Sequence, residues 1–134
     1  MSLDPRLLRV STEIPYGIHA DVGTDHALLP IYLLNHKICE KVIATEKSHS
    51  AYRVSKQALW GKQAESRLGD GLAPLFAGEA TSLSLCGMGG NLICEILEAE
   101  PDKVPDVVVV QANRDSHKVR ILSLIHISEP TRPY

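Results

Sequence analysis

The chain has 134 residues, 44% of them apolar and 22% charged, which is the balance of one soluble domain with a core of its own. Its apolar runs fall short of a membrane span, and its start lacks the basic-then-apolar order of a secretory leader. A formal net charge of -2 excludes the broad basic footprint of a stand-alone nucleic-acid binder, and Cys39, Cys86 and Cys94, without a CxxC pair, read as reduced cytosolic thiols.

Residues 3–14 place Leu3, Leu7, Leu8 and Val10 at helical spacing, with Asp4 and Pro5 as a start signal, until Pro15 and Gly17 end the run. Residues 17–23, GIHADVG, read as a short strand. Residues 25–37 read as a helix with Asp25 in its first turn and with Pro30 shortening or kinking it. Residues 41–46 form the second strand. Residues 48–62 form a helix with Ser48 as N-cap and Ala51, Val54, Ala58 and Leu59 on one face. Residues 64–71 are a short third strand ending in a turn. Residues 81–90 are a fourth strand entering the glycine-rich CGMGG, and residues 91–100 a helix. Residues 106–113 are a nearly unbroken β-branched run, the mark of a strand buried on both faces.

Strands alternating with helices imply right-handed crossovers and an α/β fold whose mostly parallel sheet carries helices on both faces. Ligands of such sheets bind beyond the carboxyl ends of the strands. Those ends carry Asp21 to Gly23, Glu46, the glycines flanking Asp70, CGMGG, and Gln111 with Asn113. The candidate site is therefore one cluster of loops at one sheet edge.

The first of these turns, ADVGTDHALLP, resembles a dinucleotide-binding turn with one glycine in place of three. Glu46 stands where an acidic residue reads a ribose. Asp25 does not fit a pyrophosphate, because a carboxylate at a helix start repels one. S-adenosylmethionine suits the pattern better: it has a ribose for Glu46 and no phosphate. Its sulfonium and ammonium suit Asp21 and Asp25, and Gly23 lets the backbone approach closely. Each residue also has a plainer reading: Asp25 as a helix cap, Asp70 as a turn residue, Met88 as core filling. The histidines lack metal-ligand spacing, and residues 113–120, with Arg114 and Lys118 four apart, read as a solvated helix face before a phosphate contact.

The segments RLLRVSTEIPYGIHADVGTDHALLPIYLL, GDGL, CGMGGNLI and QAN, in this order and spacing, resemble the bacterial tRNA adenine-22 N1-methyltransferases. The family usually has proline where this chain has Ala112. The resemblance implies a Rossmann-like class I methyltransferase sheet of order 3-2-1-4-5-7-6, five of whose seven strands are present, followed by a helical domain that carries most of the tRNA contact. It implies S-adenosyl-L-methionine as cofactor, bound at Asp21, Gly23, Thr24, Asp25, His26, Glu46, Lys47, Asp70, Gly71 and Gly87. Met88, Gly89, Gly90 and Asn113 would position the acceptor, Asp25 would have a chemical role, and no metal or membrane is involved. The reaction implied is attack of the adenine N1 lone pair on the sulfonium methyl, with the base turned out of its stack. A cytoplasmic enzyme follows. The competing readings are an NAD-dependent oxidoreductase and a nucleoside-binding fragment without catalysis.

Residues 122–134, LSLIHISEPTRPY, break the preceding pattern and resemble the translated read-through of a transposase-type sequencing adapter. The expected methyltransferase domain is therefore residues 1–121, incomplete at its C-terminus. The 134-residue chain is expected to be poorly soluble and inactive by itself.

Overall fold

The structure, a computed structural model, describes residues 3–114. The expectations for residues 115–134, including the adapter-like tail and any strand beyond the fifth, lie outside the described residues. The elements run α1 (Pro5–Ser11), β1 (Ile18–Val22), α2 (Leu28–Asn35), β2 (Lys41–Glu46), α3 (His49–Ala58), β3 (Ala64–Leu68), β4 (Ser82–Gly89), α4 (Gly90–Ala99) and β5 (Val107–Arg114), with a 3₁₀ turn at Pro101–Lys103. The five strands form one sheet in the order β3-β2-β1-β4-β5, and every neighbouring pair is parallel. This is the expected Rossmann-like order.

The two faces are covered by different helices. On one, Ala20, Val22, Ile43, Leu83, Leu85 and Val108 pack under Ile93 and Leu97 of α4 and under Leu72 and Leu75 of the loop after β3. On the other, Val42 meets Leu29 and Leu33 of α2 and Val10 of α1, while Ala44 meets Ala27 and Leu59. Both α1 and α3 start on side-chain caps: Asp4 accepts from the Arg6 N–H and Ser48 from the Ala51 N–H, each cap worth about 1 kcal/mol.

Two expectations need correction and one is narrowed. Pro30 shortens α2, as expected, and does not kink it: it sets where the helix starts. Proline has no N–H, and its ring collides with the carbonyl four residues back inside a helix. The helix begins at Leu28, which puts Pro30 in the first turn, and the first intrahelical bond runs from the Ile31 N–H to the Ala27 carbonyl at 3.1 Å. Asp25 thus precedes the helix. On α3 the buried position is Ser55, which bonds Ser66 of β3, whereas Val54 is 44% exposed. Finally, β5 is an edge strand among the described residues, so Val108 is buried while Val107, Val109 and Val110 are half-buried.

Gly69 closes the turn after β3. A Cβ there would stand 2.7 Å from both Cδ and Cγ of Pro74, a ring that cannot rotate away. Gly69→Ala is expected to destabilise the fold by about 1–3 kcal/mol through overpacking; an unchanged urea midpoint would show that the loop yields freely.

Candidate active site

The register brings the carboxyl ends of the strands level: Val22 pairs with Thr45 and Leu85, Glu46 with Leu68, and Cys86 with Gln111. A cavity of about 190 Å³ opens at this edge. Asp21, Gly23, Thr24 and Asp25 line it from the first turn, Leu28 and Leu29 from α2, Cys86 and Gly87 from β4, and Gln111 from β5. Asp4, Arg6 and Leu7 of α1 close the remaining side. A wider hollow lies between Tyr16, Asn35, Glu40 and Gln63, at the amino ends of β2 and β3, which is the wrong edge for a ligand of a parallel sheet.

Asp21 is the buried charge of the site, with 3% of its surface exposed. Ser84 Oγ donates to its Oδ1 at 2.6 Å and Thr24 Oγ1 to its Oδ2 at 2.7 Å. Behind Ser84 stands His19, wholly buried, with Nε2 2.7 Å from Ser84 Oγ and Nδ1 2.7 Å from Ser82 Oγ. The carboxylate accepts only, so the order of donation follows: Ser82 O–H to His19 Nδ1, His19 Nε2–H to Ser84, and Ser84 O–H to Asp21. Burial drives the His19 pKa down to about 3, which keeps the ring neutral and allows this single sense. Burial raises the Asp21 pKa to about 6 against the two hydrogen bonds that lower it, and the nearby Glu46 and Asp25 add to the rise. The same desolvation, with the Asp21 charge, pushes the Cys86 thiol up, so that it is no nucleophile.

The turn after β1 is bent by more than its glycine. Gly23 has φ +68°, and its N–H bonds the Thr45 carbonyl at 2.9 Å. A Cβ on it would stand 2.7 Å from Cε of Met88, so β1 and β4 meet closely there. Asp25, His26 and Ala27 follow at φ 47°, 61° and 59°, three left-handed residues in succession and none of them glycine. Each costs about 1 kcal/mol or more, the kind of strain that collects at functional sites. The bend aims the Asp25 N–H at Glu46 Oε2, 3.0 Å away, and so ties the β1 turn to the end of β2. The Asp25 side chain is 84% exposed and paired with His26 Nδ1 at 2.9 Å. It therefore does not occupy the positive end of α2, as the sequence pattern implied. Asp21 is the deep carboxylate and Asp25 the outer one.

Of the residues expected at the site, Asp21, Gly23, Thr24, Asp25 and Gly87 line the cavity. His26, Glu46, Lys47, Asp70, Gly71, Met88, Gly89 and Gly90 stand around it on the same edge. Glu46 is buried, and burial raises its pKa while the Asp25 N–H lowers it. Gly87 has φ +73°, and at both Gly87 and Gly89 there is open space where a Cβ would be. Gly90 starts α4. Asn113 lies in β5. Pattern reading missed Arg6, Gln111 as a lining residue, and the His19–Ser82–Ser84 row. The row had a signal: His19 and Asp21 alternate on β1 as Ser82 and Ser84 do on β4. Among the described residues no group of His, Cys, Asp and Glu forms a metal-binding cluster, and no helix is long and apolar enough to cross a membrane.

Comparison with known proteins agrees with this geometry. Residues 3–126 match the family described as a methyltransferase domain. The chain is 38% identical over 128 residues to the tRNA (adenine(22)-N(1))-methyltransferase of Bacillus subtilis (strain 168), covering 90% of this chain and 53% of that protein. The chain thus spans about half the length of the curated relative it matches. The crystal structure of the B. subtilis tRNA methyltransferase TrmK superposes with a TM-score of 0.83 at 33% identity, over 90% of this chain and 54% of the other. TrmK of M. capricolum in complex with S-adenosyl-homocysteine gives 0.81 at 26% identity, over 94% and 59%.

The Asp21 environment has a measurable cost. Its pKa rises on folding from 3.8 to about 6, so the folded state holds the proton more tightly. Stability then falls as pH rises through that interval, and above pH 6 the ionised group costs about 3 kcal/mol. Asp21→Asn is expected to stabilise the fold at pH 8 and to lose that gain below about pH 3, where both states of the wild type are protonated. Urea unfolding at the two pH values measures it; equal effects at both would mean that the carboxylate is well solvated.

Proposed function

The chain belongs to the methyltransferase-domain family, and on that premise we propose that it binds S-adenosylmethionine and directs methyl transfer to N1 of an adenine in tRNA, position 22 by likeness to its relatives. The observation that carries the cofactor assignment is the meeting of three carboxylates, Asp21 of β1, Glu46 of β2 and Asp25 of the turn after β1, without a phosphate cradle. Burial is the main cause of the raised Asp21 pKa, and the charges of Glu46 and Asp25 add to it; that repulsion is relieved by a cation and worsened by a pyrophosphate. This favours S-adenosylmethionine over NAD.

The cavity of about 190 Å³ is smaller than a whole-nucleoside pocket and fits one end of the ligand. In this reading the methionine end enters between α1 and the β1 turn, and the nucleoside lies across the rim formed by Glu46, Lys47, Asp70 and Gly71. Asp21 faces the ammonium. Arg6, which is 68% exposed beside Asp4, supplies the positive charge that the ligand carboxylate needs. Glu46, whose Oε2 is held by the Asp25 N–H, offers its other oxygen to the ribose.

The bound cofactor supplies a methyl group activated by sulfonium charge. The residues of this chain supply position. The open wall at Gly87 and Gly89 leaves room for a flat base beside Met88 and Asn113, and Asp25 orients the base by its amino group. Neutral adenine N1 is already a nucleophile, so no strong base is required of the protein. Residues 1–121 form the methyltransferase domain in this reading, and the enzyme works in the cytoplasm, where its tRNA is.

Two measurements test the proposal. The full-length protein is expected to move label from S-adenosylmethionine onto unmodified tRNA and to bind S-adenosylhomocysteine, not NAD, in calorimetry; the reverse preference would sink it. Asp25→Ala is expected to lower kcat about a hundredfold, in the range of a lost acid–base or orienting group. Arg6→Met is expected to weaken S-adenosylhomocysteine by about tenfold to a hundredfold, the worth of a charged hydrogen bond. Binding of 5′-methylthioadenosine, which lacks the amino-acid end, should stay unchanged; an equal loss for both ligands would remove Arg6 from the carboxylate.

A further inference from the structure

We propose that α3 and the turn after it form a track for the RNA backbone, on which phosphates of the acceptor lie against Arg53, Lys56 and Lys62 and an unpaired base stacks on Trp60. The inference rests on the reading above that the acceptor is RNA, and goes beyond it by assigning a docking surface within the methyltransferase domain itself.

The chain as a whole is slightly acidic, with 16 Asp and Glu against 14 Lys and Arg. Residues 47–64 depart from that balance: they contain Lys47, Arg53, Lys56 and Lys62 and no carboxylate. All four cations are exposed. The ion pairs of the described residues involve Arg6, His26, Lys41, Arg67 and Lys103, and none of these four. Positive charge is thus gathered on α3 and the turns on either side of it, with no carboxylate paired to it among the described residues.

The spacing makes it a surface. His49, Arg53 and Lys56 follow at intervals of four and three, which lays them along one stripe of α3. The opposite side of α3 is committed to the core through Ser55 and, just past the helix, Leu59. Trp60 stands in the turn just past the helix and is 82% exposed, the most exposed of the large apolar residues among the described residues. Lys56 Nζ sits 5.6 Å from the centroid of Tyr52, which steadies the ammonium on the outer face. Cations interleaved with aromatic rings are the composition that tracks a phosphate chain and stacks its bases.

Electrostatics give such a track a purpose. The pocket is walled by Asp21 and Asp25 with Glu46 at its rim, and these repel the backbone of the polyanion whose base must enter. A separate cationic support offsets that repulsion and sets the direction of approach. Lys47 follows Glu46 directly, so the cations start at the rim, and α3 carries them about 15 Å away from it, back toward the amino ends of the strands, long enough to span a few phosphates.

The test uses the full-length protein and unmodified tRNA, comparing wild type with Arg53→Gln/Lys56→Gln/Lys62→Gln and with Trp60→Ala. All four positions are on the surface, and equal melting temperatures check that the variants fold. The triple variant is expected to raise the KM for tRNA by tenfold to a hundredfold near 0.1 M salt and to flatten the slope of log affinity against log salt by about 2, as loss of about three phosphate contacts requires. Affinity for S-adenosylhomocysteine should stay constant, and Lys56→Arg/Lys62→Arg, which keeps the charge, should bind tRNA as the wild type does. Trp60→Ala should weaken binding several-fold with the salt slope intact. Unchanged tRNA affinity and slope in the triple variant overturn the track, as does a loss confined to self-association in sedimentation, which would make the face a protein contact. A wild-type protein that binds the cofactor but methylates no tRNA overturns the acceptor reading and the track with it.

Discussion

The site is organised by the burial of one carboxylate. Asp21 ends the central strand of a parallel sheet, where backbone and helices exclude water, and it keeps a charge there because Ser84 and Thr24 each give it a proton to lean on. That demand reaches backwards. Ser84 can donate outward only if it accepts from His19, and His19 can donate only if its other nitrogen accepts from Ser82. A run of polar groups thus crosses a face that would otherwise be aliphatic, and α2 covers it with Leu29 and Leu33. Few substitutions along this run are independent, since each group fixes the role of the next.

The turn outside Asp21 obeys a second demand. A glycine-rich loop would give free amides to an anion. Here the backbone uses one glycine and three left-handed residues with side chains, and the amide of Asp25 is spent on Glu46 inside the protein. The result is an acidic rim whose Gly23 and Asp25 amides are already occupied. A cationic ligand is the natural complement of such a rim.

The order of strands and helices was legible because its physics is local: alternating apolar runs, caps at Asp4 and Ser48, and glycines at the corners. The second strand agrees to the residue, Lys41–Glu46. The strand-end cluster followed from topology alone. What the pattern could not carry was tertiary. Pro30 reads equally as a kink or as a start, and the choice moves Asp25 from a helix to a strained turn. Val54 and Ser55 are adjacent, and hydrophobicity favours the wrong one, because Ser55 finds Ser66 across the sheet edge. Arg6 lies in a helix that looks merely amphipathic until the chain returns to it.

That return has a consequence for how the protein comes into being. The cavity takes one wall from Arg6 and another from Gln111, the opposite ends of the described chain, with the central turn between them. No partial chain leaving the ribosome can present the whole pocket, because the last wall arrives with β5. Ligand affinity is then a property of the finished sheet and not of any loop, so occupancy stabilises the domain as a unit. The cell gains a simple discrimination: a chain that holds its ligand has already folded from α1 through β5.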